Sequence, residues 1–259
     1  SVPYSGMVTE DVGYLKFVSF TQNSAEDVYN KFDELKRKGM TKFILDLRGN
    51  GGGLLIEAVK IVNFFVEKGE TIVWMKGRSD ADMTTWKAEL KPVDTAIPIV
   101  VLVDGGSASA SEIVSGALQD LDRAVILGQT SYGKGLVQRP LDLKYNAKIK
   151  ITIAKYYTPS GRCIQKLDYT HRNVGESAQS ISEENITKFK TKHGREVIDG
   201  RGIEPDITIP EREFSRLAMT LVVENIIFDY ATRFRVGHDE IAKAREFRLT
   251  DQDYADFTT

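Results

Sequence analysis

The chain has 259 residues, 41% hydrophobic and 28% charged, with a formal net charge of −2. That is the balance of an ordinary globular protein, with no basic excess for nucleic acid and no acidic tail. The longest apolar runs, such as residues 97–103, fall far short of the roughly 18 residues that a membrane span needs.

Cys163 is the single cysteine, so no internal disulfide is available and the redox compartment stays open. A packing role is expected for it rather than nucleophilic chemistry. His171, His193 and His238 are scattered without metal-ligand spacing, so no metal site is expected. No signal peptide is visible, and Ser1-Val-Pro-Tyr4 reads as the interior of a longer protein.

In chain order, the aromatic and β-branched run 14–20 predicts a strand. Ser24, with Asp27 three positions on, opens a helix carrying Val28, Phe32 and Leu35 on one face and ending at Gly39. Lys42–Asp46 is a short, nearly all-apolar strand of the buried kind. The glycine-rich loop 49–53 follows, then an apolar helix over 54–66 and a strand over 71–75. Residues 77–96 are polar and irregular, with a short helical piece expected over 84–90. A strand at 97–103, a helix at 109–121 and a strand at 124–127 complete the first half. Strand and helix alternate there, which predicts an α/β fold with a central, largely parallel sheet.

The second half is β-rich and then helical. Lys148–Tyr157 alternates and predicts a hairpin or edge strand. Residues 165–200 read as a polar, loop-rich insert, 214–234 as one long helix, and 250–259 as a helix cut short. The division expected is a core over 1–210 and a helical segment over 211–259.

Three segments carry candidate chemistry. In Asp104-Gly-Gly-Ser-Ala-Ser-Ala-Ser-Glu112, a hydroxyl follows a buried strand and opens a helix. That position lies over the carboxyl edge of the sheet, where open α/β folds bind ligands and the helix dipole favours an oxyanion. The same segment also reads as a capping box with no catalytic role.

In Gly128-Gln-Thr-Ser-Tyr-Gly-Lys134-Gly-Leu-Val-Gln138, a lysine sits between two glycines. A neutral lysine could serve as a general base, and Gln138 lies where it could orient the amine. A loop lysine bonded to turn carbonyls is the alternative. A phosphate loop is not matched, because Gly135 follows the lysine. In Asp46-Leu-Arg-Gly-Asn-Gly-Gly-Gly53, glycine amides at a helix start could bind an anion or simply make a tight turn.

Together the three segments resemble the carboxyl-terminal processing, or tail-specific, serine proteases. Tyr156-Tyr-Thr-Pro-Ser-Gly-Arg162 and Gly202-Ile-Glu-Pro-Asp206 resemble later motifs of that family, so the likeness runs from about Gly13 to Ile209. The resemblance implies Ser109 as nucleophile, since it precedes Lys134 by 25 positions and Ser107 and Ser111 do not. It implies Lys134 as base, Gln138 as its partner, and oxyanion donors at the Ala110 amide and at Gly53 or Gly52. The implied fold is the ClpP/crotonase one, the substrate a polypeptide, and no cofactor is called for.

Family members carry a PDZ domain just upstream, and some carry terminal helices that make homodimers. Relatives work in the bacterial periplasm or cell envelope. A crotonase-like enzyme acting on acyl thioesters, or a non-catalytic scaffold binding peptide tails, remain as alternatives.

Overall fold

The computed structural model describes residues 1–79, 82–169, 177–211, 214–243 and 246–258. The chain forms two compact units, Ser1–Pro210 and Glu211–Thr259.

The first unit opens with β1 (Tyr4–Met7) and β2 (Val12–Lys16), followed by α1 (Ser24–Arg37), β3 (Lys42–Asp46), α2 (Leu55–Asn63), β4 (Thr71–Lys76) and β5 (Met83–Lys87). Then come β6 (Ile99–Val103), α3 (Ala110–Asp120), β7 (Val125–Gly128), β8 (Leu136–Asp142) and β9 (Lys148–Tyr157). Short strands complete it: β10 (Leu167–Asp168), β11 (Gln179–Ser180), β12 (Lys188–Lys190), β13 (Glu196–Ile198) and β14 (Ile207–Thr208).

The main sheet has the order β1-β2-β3-β6-β7-β14. β1 is antiparallel to β2, and every other pairing is parallel, as the alternation of strand and helix requires. Alternate residues on one face are fully buried: Phe43 and Leu45 of β3, Ile99, Val101 and Val103 of β6, and Ile126 of β7. They join one apolar cluster with Val28, Phe32 and Leu35 of α1, Ala58, Ile61 and Val62 of α2, and Val114, Ala117 and Leu118 of α3. Phe32 meets Phe43 and Phe65 edge-on, with ring centroids 5.1 and 5.4 Å apart.

α3 is buried on every side, its polar face included. That is tolerable only because the polar groups are bonded. Ser111 Oγ donates to the Asn50 carbonyl (2.8 Å), Ser115 Oγ to the Ser111 carbonyl (2.9 Å), and Gln119 Nε2 to the Glu204 carbonyl (2.9 Å). Arg162, only 1% exposed, pairs with Asp120 at the carboxyl end of the helix (2.8 Å).

A second sheet, β5-β4-β9-β8, is antiparallel throughout. Residues 84–90, expected to include a helical piece, contribute β5 instead, because pairing with β4 satisfies their backbone and turns Trp86 onto the core. Lys148–Tyr157 is a hairpin strand but not an edge: β9 is flanked by β4 and β8. Trp74 of β4 stacks on Tyr157 of β9, centroids 4.2 Å apart. Between Val137↔Ala154 and Gln138↔Thr152 the register shifts, leaving Ile153 as an extra residue on β9. Such a bulge re-aims side chains, and here it puts Leu136, Lys155, Gln138 and Thr152 on one face. The polar insert holds the β10–β11 and β12–β13 ladders. Part of it, with His171, lies outside the described residues.

The second unit contains α4 (Arg216–Val223), α5 (Ile226–Val236) and α6 (Asp251–Thr258). The single helix expected over 214–234 is broken, because Asn225 adopts a left-handed conformation (φ 58°) and starts α5 anew. Tyr230 anchors this unit: its hydroxyl donates to the Asp253 carbonyl (2.6 Å) and its ring meets Phe257 edge-on.

Among the described residues no helix is long and apolar enough to cross a membrane, and no group of three or more His, Cys, Asp or Glu could hold a metal ion.

Candidate active site

The loops after β3 and β6, adjacent parallel strands, meet at the carboxyl edge of the main sheet. Side chains lace them together. Asp104 Oδ1 accepts the amides of Gly49 (2.8 Å) and Gly106 (2.9 Å). Ser107 Oγ donates to the Leu47 carbonyl (2.8 Å), and the Ala108 amide donates to the Asn50 carbonyl (3.0 Å).

Ser109 ends this loop at the start of α3. Its backbone has φ 58° and ψ −112°, a conformation that L-residues rarely adopt. Strain of this kind, worth about 1–3 kcal/mol, persists where the surroundings over-determine it, and it gathers at functional sites. Ser107 and Ser111 have fully buried hydroxyls engaged with carbonyls of the glycine loop, whereas Ser109 is half-buried.

The glycine loop lies against the same serine. A Cβ built on Gly52 would stand 2.6 Å from the Ala108 oxygen, 2.8 Å from Ser109 Cβ and 2.9 Å from the Ala110 nitrogen. The Gly52 amide is already committed to Asn50 Oδ1 (2.9 Å). The Gly53 and Ala110 amides have no acceptor among the described residues. Gly53 is exposed. Gly52→Ala is therefore expected to push the segment from Ala108 to Ala110 away from the glycine loop. Because Gly52 also has φ 98°, the variant should lose about 1–3 kcal/mol of stability in urea denaturation and far more activity than that loss explains.

The glycine loop is anchored from below by Asp46, which is fully buried. Its carboxylate accepts from the Tyr14 hydroxyl (2.6 Å), from Lys16 Nζ (3.3 Å), and from the Arg48 amide (2.9 Å), Nε (3.0 Å) and NH2 (2.7 Å). Burial alone would raise its pKa. The Arg48 guanidinium, the Tyr14 hydroxyl, the Arg48 amide and Lys16 outweigh burial and hold it down to about 2. Burial and the neighbouring carboxylate push the Tyr14 hydroxyl up to about 12.

A carboxyl whose folded pKa lies below its unfolded value contributes stability above the unfolded pKa, and that stability is lost as the pH falls through the folded one. Asp46 should therefore contribute roughly 2 kcal/mol that disappears between about pH 4 and pH 2. Asp46→Asn should flatten that part of the stability–pH curve.

The third segment crosses the amino end of α3. Glu112, fully buried, accepts four hydrogen bonds. Its Oε2 takes the amides of Ser109 and Lys134, both at 2.8 Å. Its Oε1 takes the Ser131 hydroxyl and the Gly133 amide, both at 2.6 Å. Burial pushes this carboxyl up, opposed by those donors. The helix-capping function expected of Glu112 is present, but the same carboxylate also reaches the lysine loop.

Lys134 and Gln138 are exposed, and both line a cavity of about 1160 Å³. Lys155, Thr152, Leu136 and the β10–β11 ladder share its wall. Ser109 does not line this cavity, and its side chain is not hydrogen-bonded to Lys134 among the described residues. The backbones of the two residues are thus held together through Glu112 while their side chains remain unjoined. Gln165 was not foreseen from sequence: its Oε1 accepts the Gly135 amide (2.8 Å) and its Nε2 donates to the Leu167 carbonyl (2.9 Å). Cys163 is partly buried, and burial raises its thiol pKa, against a thiolate nucleophile.

This is an α/β protein in which loops at the carboxyl ends of parallel strands gather around a strained serine that starts a buried helix. Residues 11–172 match peptidase family S41, and the chain belongs to that family. Residues 217–259 match the C-terminal helical domain of a probable PDZ-protease.

The carboxy-terminal-processing protease of Bartonella bacilliformis is 44% identical over 167 residues, 63% of this chain and 38% of that protein. A probable CtpA-like serine protease of Staphylococcus aureus is 32% identical over 230 residues, 88% of this chain and 38% of that one. Among solved structures, a photosystem II D1 C-terminal processing protease superposes with a TM-score of 0.60 at 29% identity, covering 79% of this chain and 44% of the other. The chain thus spans about two fifths of the length of these relatives.

Proposed function

We propose that this chain is the core of a serine endopeptidase of the carboxyl-terminal processing type, acting on unfolded or tail-exposed polypeptides through Ser109 and Lys134. The observation that carries the reading is Ser109 at a strained helix start, with the unengaged Ala110 and Gly53 amides beside it. These two amides are the proposed oxyanion donors. Gly52 serves by leaving room, since its own amide is committed to Asn50.

In the proposed reaction, neutral Lys134 takes the Ser109 hydroxyl proton as the oxygen attacks the scissile carbonyl. The tetrahedral oxyanion forms against the two amides. Lys134 then gives the proton to the leaving amine. Water repeats the sequence and frees the new carboxyl terminus from Ser109. Gln138 orients the lysine amine. Since the two side chains are not bonded in this structure, the Lys134 amine has to come to about 3 Å from the serine oxygen for turnover, and such bonds often tighten only with substrate in place.

β8 is an edge strand beside the cavity and carries Gln138, which supports substrate binding by strand addition. The match to a PDZ-protease helical domain supports a longer protein with a PDZ domain. The bacterial relatives support a place in the bacterial envelope, although some relatives are chloroplastic.

The test is casein degradation by the parent and by Lys134→Met, which keeps the stem and removes the amine. The parent should cut, and Lys134→Met should lose at least about 1,000-fold. Equal rates would assign the base elsewhere.

A further inference from the structure

A base flanked by Gly133 and Gly135 has no local stiffness of its own. Something outside the loop must fix where its amine can reach. The loop hangs from two buried side chains that belong to different elements. Glu112, from α3, takes the amides of Gly133 (2.6 Å) and Lys134 (2.8 Å). Gln165, from the segment after β9 and 5% exposed, takes the amide of Gly135 (2.8 Å). Three consecutive amides are thus held by side chains. Backbone groups add to this, with the Lys166 amide donating to the Gly133 carbonyl (3.0 Å) and the Tyr156 amide to the Gly135 carbonyl (2.7 Å).

Resting on the protease reading above, we infer that Glu112 and Gln165 are positioning residues: a two-sided clamp that sets the base loop in register with the nucleophile. Glu112 does the setting, because the oxygen that holds the Lys134 amide also holds the Ser109 amide (2.8 Å). The nucleophile's strained backbone and the base's backbone therefore share one acceptor atom. Gln165 closes the other side and, through its bond to the Leu167 carbonyl, ties the base loop to the β10–β11 wall of the cavity.

The donor count supports an ionised Glu112. Three of its four partners are N–H groups, and a neutral acid would have to turn a hydroxyl towards them. No lysine or arginine forms an ion pair with it among the described residues, so the four hydrogen bonds alone keep the charge in the interior.

The test uses the whole chain with Ser109→Ala as a blank, and compares Glu112→Gln, Gln165→Leu, Gln165→Glu and the double variant Glu112→Gln with Gln165→Leu. Thermal denaturation comes first, and kinetics are run well below the lowest transition.

Glu112→Gln keeps the size but turns an NH2 group towards two donors. It should lower kcat by about 100-fold or more, leave KM within about 3-fold, and move the acid limb of the pH profile by at least about half a unit. Gln165→Leu should lower kcat by about 10-fold or more. The double variant should lose less than the product of the two single losses, because both act on one loop.

Gln165→Glu can reproduce both of the glutamine's bonds only when protonated. Its rate relative to the parent should therefore climb as the pH falls from about 8 to about 5, while the ratio for Gln165→Leu stays flat. Lys134, Lys155 and Asp168, which line the same cavity, and Glu112 across the loop are present in the parent and in both Gln165 variants, so the ratio isolates the change at position 165. Parental kcat with only a lowered melting point in both single variants would overturn the clamp, as would losses that simply multiply. A parent that does not cut, or a Ser109→Ala variant that does, would overturn the protease reading instead.

Discussion

Ser109→Ala should abolish peptide hydrolysis while the fold survives. Removing the nucleophile from a serine hydrolase costs about 10⁴–10⁶ in kcat, with residual catalysis left to the oxyanion donors and binding. The other hydroxyls of the loop offer no substitute. Ser107 and Ser111 are fully buried and donate to the Leu47 and Asn50 carbonyls.

Stability should fall by only about 1 kcal/mol, the worth of the Ser109 side-chain cap, because the bond from the Ser109 amide to Glu112 does not involve the side chain. The backbone sharpens the test. At φ 58° and ψ −112°, alanine keeps the strain of the serine and glycine relieves it. Ser109→Gly should therefore be more stable than Ser109→Ala by about 1 kcal/mol, and equally inactive. Urea denaturation and casein turnover on the same preparations read both quantities. Turnover by the alanine variant at the parental rate would place the nucleophile elsewhere.

Arg162→Met should be strongly destabilising. The Arg162 guanidinium donates to Gln119 Oε1 (2.6 Å), Asp120 Oδ1 (2.8 Å) and the Ile198 carbonyl (3.3 Å), and both members of the ion pair are 1% exposed or less. Burial pulls the pKa of Arg162 down, opposed by Asp120. Truncating one partner of such a pair leaves the other as an uncompensated charge and costs about 3–5 kcal/mol. Asp120 would keep its bonds from Thr158 Oγ1 (2.5 Å) and the Ser160 amide (3.0 Å), which moderate but do not cancel the loss.

In a unit of this size, 1 kcal/mol moves Tm by roughly 2–4 °C, so a fall of about 6–20 °C is expected by calorimetry. Adding Asp120→Asn should restore part of it, since the orphaned charge goes with its partner. A shift below about 2 °C would show that water or a neighbour already compensates the pair.

These two residues also mark what could be read from sequence. The parallel strands were legible because strands buried on both faces are short apolar runs, such as Lys42–Asp46 and 97–103. Ser109, Lys134 and Gln138 were singled out through the family resemblance; residue type and spacing alone left a helix cap and a loop lysine as open readings. Long-range partners were not legible. Glu112 presented itself as a helix cap, and nothing local pointed to the lysine loop 22 residues on. Gln165 gave no signal at all.

β8 was missed because Gln138, Arg139 and Pro140 break any alternation, and its strand character comes from pairing with β9. Residues 84–90 failed for a related reason: Thr84, Thr85 and Trp86 suit a strand, and β4 supplied the partner that decided it. The break at Asn225 rests on one backbone angle that propensity along 214–234 does not reveal.

The stack of Trp74 on Tyr157 has a practical consequence. The sequence has two tryptophans, and both lie in the antiparallel sheet, Trp74 on β4 and Trp86 on β5. Trp86 packs against the main core cluster, whereas Trp74 reports the contact between β4 and β9. Trp74 emission is quenched or released according to whether β4 and β9 stay in register. Trp86→Phe leaves Trp74 as the one tryptophan of the sequence, and any offset between that variant's fluorescence and calorimetric midpoints measures how far β4 and β9 loosen ahead of the rest of the first unit.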